Sequence, residues 1–244
     1  MAIPILMYHN VAEVPEALHP DGRCLYVTPA AFAAQMGLLA RLGWRGVSMS
    51  DAMPYLRGEK RGRVAAITFD DGYLDNLENA MPVLQRHGFS ATCYVVNGCI
   101  GKHNLWDTAK LGVKKPMMTI GQLHAWREGG MEIGAHTRNH PHLTQCDDAR
   151  LHDEVAGGKA ELESLLGFEV PQFCYPFGDA DARVARAARD AGYAASPTVK
   201  RGRARRGMDP FMLPRVAIDN ADSLAKLALR VFTPLEDLRG RKAA

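Results

Sequence analysis

Long apolar runs are missing from this 244-residue sequence. None approaches the roughly 20 residues a helix needs to cross a bilayer, so no membrane-spanning helix is expected. The stretch Met1-Ala2-Ile3-Pro4-Ile5-Leu6-Met7-Tyr8-His9 has no basic segment, and its apolar part is too short for a signal peptide. A soluble, cytoplasmic protein is expected. Cysteine is sparse: Cys24, Cys93, Cys99, Cys146 and Cys174 are odd in number and form no CxxC pair. That excludes a disulfide scaffold or a zinc ribbon and suits a reducing compartment. Charge of one sign is not in excess either. The 30 basic and 27 acidic residues leave a net +3, which does not point to a nucleic acid partner. No Gly-rich phosphate fingerprint, internal repeat, low-complexity segment or linker is present. With 47% hydrophobic residues there is material for an ample core, and a single domain over residues 1–244 is expected.

What is there is an alternation of short apolar runs and helical patterns. Strands are expected at Ile3 to Tyr8, Cys24 to Val27, Trp44 to Met49, Val64 to Phe69, Ala91 to Val96, Met131 to Ala135, Val170 to Tyr175, Tyr193 to Ala195 and Leu213 to Ile218. Helices are expected after Thr28-Pro29, after Ser50, around Asn76 to His87, after Thr119, from Asp147 to Leu166 with a bend near Gly157-Gly158, from Asp181 to Ala191, and from Ser223 to Phe232. Asn97 to Pro116 and the basic run Lys200 to Arg206 read as loops. Strand alternating with helix argues for an α/β fold with a parallel sheet, and the number of βα units allows a barrel.

The chain is organised around Ile67-Thr68-Phe69-Asp70-Asp71-Gly72-Tyr73. Here a buried strand ends in two adjacent carboxylates. Two acids at that place are costly unless something pairs with them. Neighbouring side chains at a strand exit point in different directions, so one carboxylate can bind a cation while the other handles a proton. Asp-Gly is also a common turn dipeptide, but a second motif decides against a mere turn. His136-Thr137-Arg138-Asn139-His140 follows another strand and places two imidazoles four residues apart. Both can reach one cation from a single turn. Thr137 stands where a zincin motif needs Glu. Two histidines and one carboxylate make a three-ligand site with an open position, the layout of a catalytic metal.

The order TFDDGY, EIGAHTRNH, YPFG resembles the polysaccharide deacetylase family, the NodB-homology carbohydrate esterases. The resemblance runs from MYHNV at the start to LPRV near the end. It implies a distorted (β/α) barrel of about seven parallel strands, a divalent metal, and hydrolysis of an N-acetyl group on a sugar. The metal is expected to be Zn2+, with Co2+, Ni2+ and Fe2+ as the other candidates. Carried over by position, Asp70 is the general base, Asp71 a metal ligand, and His136 and His140 the other two ligands.

Two departures from the family pattern matter. Many members carry an arginine two residues before the proline of YPFG, where it pairs with the catalytic carboxylate; here that position is Cys174. Arg215, in Leu-Pro-Arg-Val, is the candidate substitute. The late Leu-x-His that supplies the general acid is also absent, and no histidine follows His152. His9 then becomes the expected acid, because a closed barrel can set its first strand beside its last. In this the chain is similar to the branch with apparently permuted motifs, which includes poly-N-acetylglucosamine deacetylases. An N–H of Tyr175 or Phe177 is expected to meet the oxyanion, with the resemblance favouring Phe177. Trp106, beside Asp107, and Leu143 are expected to line the substrate cleft. The expected substrate is an N-acetylated glycan or a lipid-linked sugar. The alternatives are a metal-dependent amidohydrolase on a non-sugar amide and a non-catalytic carbohydrate-binding relative.

Overall fold

The structure is a computed structural model that describes residues 2–242. Seven strands carry the fold: β1 Ile5–Tyr8, β2 Arg45–Val47, β3 Val64–Phe69, β4 Thr92–Val95, β5 Glu132–Ala135, β6 Pro197–Arg201 and β7 Leu213–Ala217. They pair in parallel in the order β5-β4-β3-β1-β7-β6, with β2 also on β3. Single parallel bridges, Ala135 to Phe173 and Gln172 to Ala195, join β5 back towards β6. The result is the distorted (β/α) barrel that the resemblance implies. One distortion sits on β3. Along one edge its first residues, Val64 to Ala66, pair with β2, and its last, Thr68 and Phe69, pair with β4. The first strand lies between β3 and the last strand, β7, with Leu6 opposite Val216.

Strand alternation explains which side chains reach the barrel axis. In β3, Ala65, Ile67 and Phe69 join the main core cluster, whereas Val64 and Ala66 join the separate cluster that contains Ile5, Tyr94, Cys174 and Leu213. Continuing that parity, Thr68 and then Asp70 face inward. In β5, Ile133 and Ala135 pack outward, so Gly134 and His136 face in. Gly134 has to be glycine, because a Cβ there would sit 2.4 Å from the Tyr94 ring. The outer helices start where their caps predict. Thr28 accepts from the Ala31 N–H at 3.2 Å ahead of the helix Pro29–Arg41. Ser48 caps Met49–Arg57, two residues earlier than expected, and Thr119 with Gln122 forms a capping box on Ile120–Glu128.

Several expected elements differ. The loop Asn97 to Pro116 contains a helix, Leu105–Leu111, which stops at Gly112 with φ 73°. Val170 to Tyr175 and Tyr193 to Ala195 contribute only single bridges, not strands. Cys24 and Leu25 belong to a 3-10 turn, Pro20–Leu25, that leads into a strand of only Tyr26–Val27. The basic run is not a loop. It ends β6, turns at Gly202, and returns as Ala204–Arg205, which pairs antiparallel with Ala2–Ile3. A further helix, Leu235–Lys242, follows the one that ends at Phe232. The bend expected in the long helix is a π-helical segment, Asp153–Gly157.

Candidate active site

The C-terminal ends of the strands open into a cleft of about 200 Å3. His9, Asp70, Asp71, Trp106, Asp107, His136, His140 and Phe177 line it, with Lys110 and Val199. Three lone-pair donors converge in its floor. Asp71 Oδ1 lies 3.5 Å from His136 Nε2 and 3.4 Å from His140 Nε2, and all three residues are buried. Tetrahedral coordination with bonds of about 2.0–2.1 Å sets neighbouring ligand atoms roughly 3.4 Å apart, so the spacing fits one cation.

The donor chemistry fits as well. His136 Nδ1 donates to the Cys174 carbonyl at 2.7 Å, which leaves the Nε2 lone pair facing Asp71. Burial holds His140 below the ordinary imidazole value, which keeps it neutral. Burial also pulls His136 down, yet Cys174, Asp71 and Asp70 push it well above its usual value. That corner calls for positive charge between Nε2 and Asp71, a need that a cation meets as well as a proton. Burial pushes the Asp71 carboxyl up, and the neighbouring His136 and His140 override it, holding Asp71 well below the usual range.

Asp70 lies beside this trio, with donor atoms of Asp70, His136 and Cys174 within 4.8 Å of one another, and its carboxylate is bonded to Arg215. The guanidinium grips both carboxylate oxygens at 2.7 Å and also donates to the Thr198 carbonyl at 2.8 Å and to Thr68 Oγ1 at 3.2 Å. Arg215 is only 1% exposed. Burial raises Asp70, and Arg215 outweighs it, so the carboxyl sits below its ordinary value and stays ionised. A carboxylate has about four lone-pair directions, so two remain for the cleft. Arg215 thus stands where the resemblance called for a substitute, and Cys174 Sγ lies 3.2 Å from it.

The loops that present these groups are strained. Among the described residues, the non-glycine positions with positive φ are Asp71 (80°), Thr137 (67°), His140 (59°) and Phe177 (58°). All belong to the site or its supporting turns. Each such residue costs on the order of 1–3 kcal/mol, which the surroundings must offset. For His140 they do so visibly. Thr137 Oγ1 accepts the His140 N–H at 2.9 Å, and Glu154 accepts from the Asn139 N–H at 2.8 Å and its side chain at 3.0 Å.

The cleft walls are aromatic. Trp106 stacks on His140 at 4.3 Å, and Phe177 meets His140 edge-on at 4.5 Å and stacks on His142 at 4.2 Å. Phe177 is 45% exposed. The Tyr175 side chain does not reach the cleft: it is buried on the outer side of the barrel and donates its hydroxyl to the Phe211 carbonyl at 2.8 Å, so only its backbone N–H bears on the expected role. Leu143 lies wholly inside the main core, its side chain committed to packing. The contributions missed in the sequence are the carbonyls of Cys174 and Thr198. Backbone acceptors leave no mark in residue type.

Comparisons with known proteins agree with this geometry. The polysaccharide deacetylase family model matches residues 57–196, more than half of the chain. YxkH of Bacillus subtilis (strain 168), a protein assigned to the polysaccharide deacetylases, is 29% identical over 219 residues, covering 88% of this chain and 71% of that one. Among solved structures, the Streptococcus pyogenes deacetylase PplD, in complex with acetate, superposes with a TM-score of 0.81 at 24% identity over 95% of this chain and 98% of that chain. IcaB from Ammonifex degensii gives 0.77 at 24% identity over 94% and 97%. At these identities the structures speak for the fold, while the family model and the motifs it spans speak for kinship: the chain belongs to the polysaccharide deacetylase family.

Proposed function

We propose that the protein hydrolyses the N-acetyl group of an amino sugar in a glycan or glycan precursor, releasing acetate, and that it needs a divalent cation to do so. The observation that carries this reading is the adjacency of two carboxylates with separate partners. Asp71 faces two histidine nitrogens, and Asp70 is held by a buried arginine. Zn2+ is the preferred cation for two imidazoles and a carboxylate. Held by Asp71 Oδ1, His136 Nε2 and His140 Nε2, it would supply Lewis-acid polarisation and a lower pKa for an attacking water.

The rest of the chemistry belongs to the chain. Asp70, ionised and aimed by Arg215, accepts a proton from the attacking water. The Phe177 N–H donates to the oxygen that gains charge as the amide carbon becomes tetrahedral. His9, in its imidazolium form at the exit of β1, gives its proton to the departing amine. Trp106 and Phe177 flank the acetamido group and limit access of bulk water. The acidic Asp107, whose carboxyl is pushed up chiefly by burial, shares the same wall. The cleft volume matches the acetamido end of one sugar better than a buried chain segment, and ligand pockets for larger molecules usually exceed about 300 Å3.

The test separates binding from proton transfer. Asp70→Asn is expected to bind one equivalent of zinc and lose most turnover, about 100-fold or more. His136→Ala is expected to lose the metal as well. Normal turnover in Asp70→Asn at full metal occupancy would refute the assignment of the base.

A further inference from the structure

Soon after Asp71 the chain enters a π-helical segment, Asn76–Ala80. Such turns are rare and concentrate at functional sites. Asp75, in right-handed helical conformation just ahead of that segment, makes no capping bond within its own helix. Its side chain reaches across to the backbone that follows β1. Asp75 Oδ1 accepts from the Val11 N–H at 3.0 Å. Asn76 Nδ2 donates to the His9 carbonyl at 2.7 Å, and Asn79 Nδ2 donates to the Val11 carbonyl at 2.8 Å. On the other side of His9, the Asp70 N–H donates to the Tyr8 carbonyl at 2.9 Å. The backbone around His9 is therefore bonded from both sides by residues of the single stretch 70–79. Asp75 also pairs with Lys115 at 2.9 Å, which fastens the excursion carrying Trp106 to the same point.

His9 is half-buried and lines the cleft. A loop histidine without such bonds would sample many orientations. A proton donor displaced by about 1 Å can cost on the order of 100-fold in rate. We propose that Asn76, with Asp75 and Asn79, is the positioning set that aims His9. The same stretch that supplies the base and a metal ligand would then also hold the acid in place. This rests on the reading of His9 as the general acid.

The experiment is a double-mutant comparison on the zinc-loaded protein with an N-acetylglucosamine oligomer. Asn76→Asp keeps the shape and replaces the donor with an acceptor facing the His9 carbonyl. It is expected to lower kcat about 10- to 100-fold with KM changed less than about threefold and bound zinc unchanged. In a His9→Ala background the same change is expected to alter kcat less than about twofold, because the group being positioned is gone. Asn79→Ala, at a half-buried position that tolerates truncation, repeats the comparison should Asn76→Asp fail to fold. An equal loss in both backgrounds would overturn the positioning role and leave His9 as the acid. Full turnover in His9→Ala alone would remove the acid, and the positioning role with it.

Discussion

Replacing Arg215 with methionine removes the buried guanidinium that pairs with Asp70. Arg215 is 1% exposed and Asp70 3% exposed, so solvent cannot take over. Both 2.7 Å bonds to the carboxylate disappear. Leaving one member of a buried pair uncompensated costs about 3–5 kcal/mol. For a protein of this size each kcal/mol moves the melting temperature by about 2–4 °C, so Tm is expected to fall by roughly 6–20 °C. The second arm is more telling. Asp70→Asn added to Arg215→Met leaves a neutral carboxamide that needs no counter-charge, and most of the loss should return. Urea unfolding of the chelated proteins at pH 7 measures both, with the chelator present so that metal binding does not mask the difference. A loss below about 1 kcal/mol in Arg215→Met, or a further loss in the double variant, would refute the claim that Arg215 exists to hold the Asp70 charge.

Two further outcomes follow from other parts of the structure. Gly178 has φ 68°, and a Cβ there would lie 2.3 Å from Val199 Cγ2; Gly178→Ala should destabilise by about 1–2 kcal/mol and, by moving Phe177, lower kcat/KM at unchanged zinc content. Unaltered kcat/KM would show that Phe177 is not held by this contact. Glu132 accepts from the Ser50 N–H and from Thr92 Oγ1, and burial raises its carboxyl above the ordinary value. A raised folded value means that the unfolded chain ionises first, so stability is lost as pH rises from the ordinary carboxyl value through the raised one. Glu132→Gln should therefore stabilise the protein at pH 7 and leave it unchanged at pH 3. Equal effects at both pH values in urea unfolding would contradict the sign.

The candidate site was legible in part because its polar groups lie in side chains at strand exits. Asp70 and His136 each follow an apolar run, and strand parity then sends them inward. Arg215 could be singled out because Cys174 left a carboxylate without its partner. The rest was hidden for physical reasons. Both faces of Val170 to Tyr175 are buried, so no polar alternation distinguishes inward Cys174 from outward Tyr175. Leu143 follows the histidine turn closely, and nothing in its type separates a cleft wall from the core beneath it. The helix Leu105–Leu111 is short and rests on a small cluster of its own, Leu18, Tyr26 and Leu111, formed with a distant segment. Lys200 to Arg206 looks like a solvated loop until Ala204–Arg205 finds the edge offered by Ala2–Ile3. Asp75, Asn76 and Asn79 read as ordinary polar helix residues, since each has a backbone partner more than sixty positions away.

The central claim, that the Asp71, His136 and His140 trio holds a cation on which deacetylation depends, is tested most directly by acetate release. The protein is stripped with a chelator and assayed on N-acetylglucosamine oligomers before and after one equivalent of Zn2+ is restored. The account predicts no release from the stripped protein, recovery at one equivalent, and none from Asp70→Asn at the same metal content. Equal release with and without metal, or zinc bound with no acetate from any N-acetylated sugar, would contradict it.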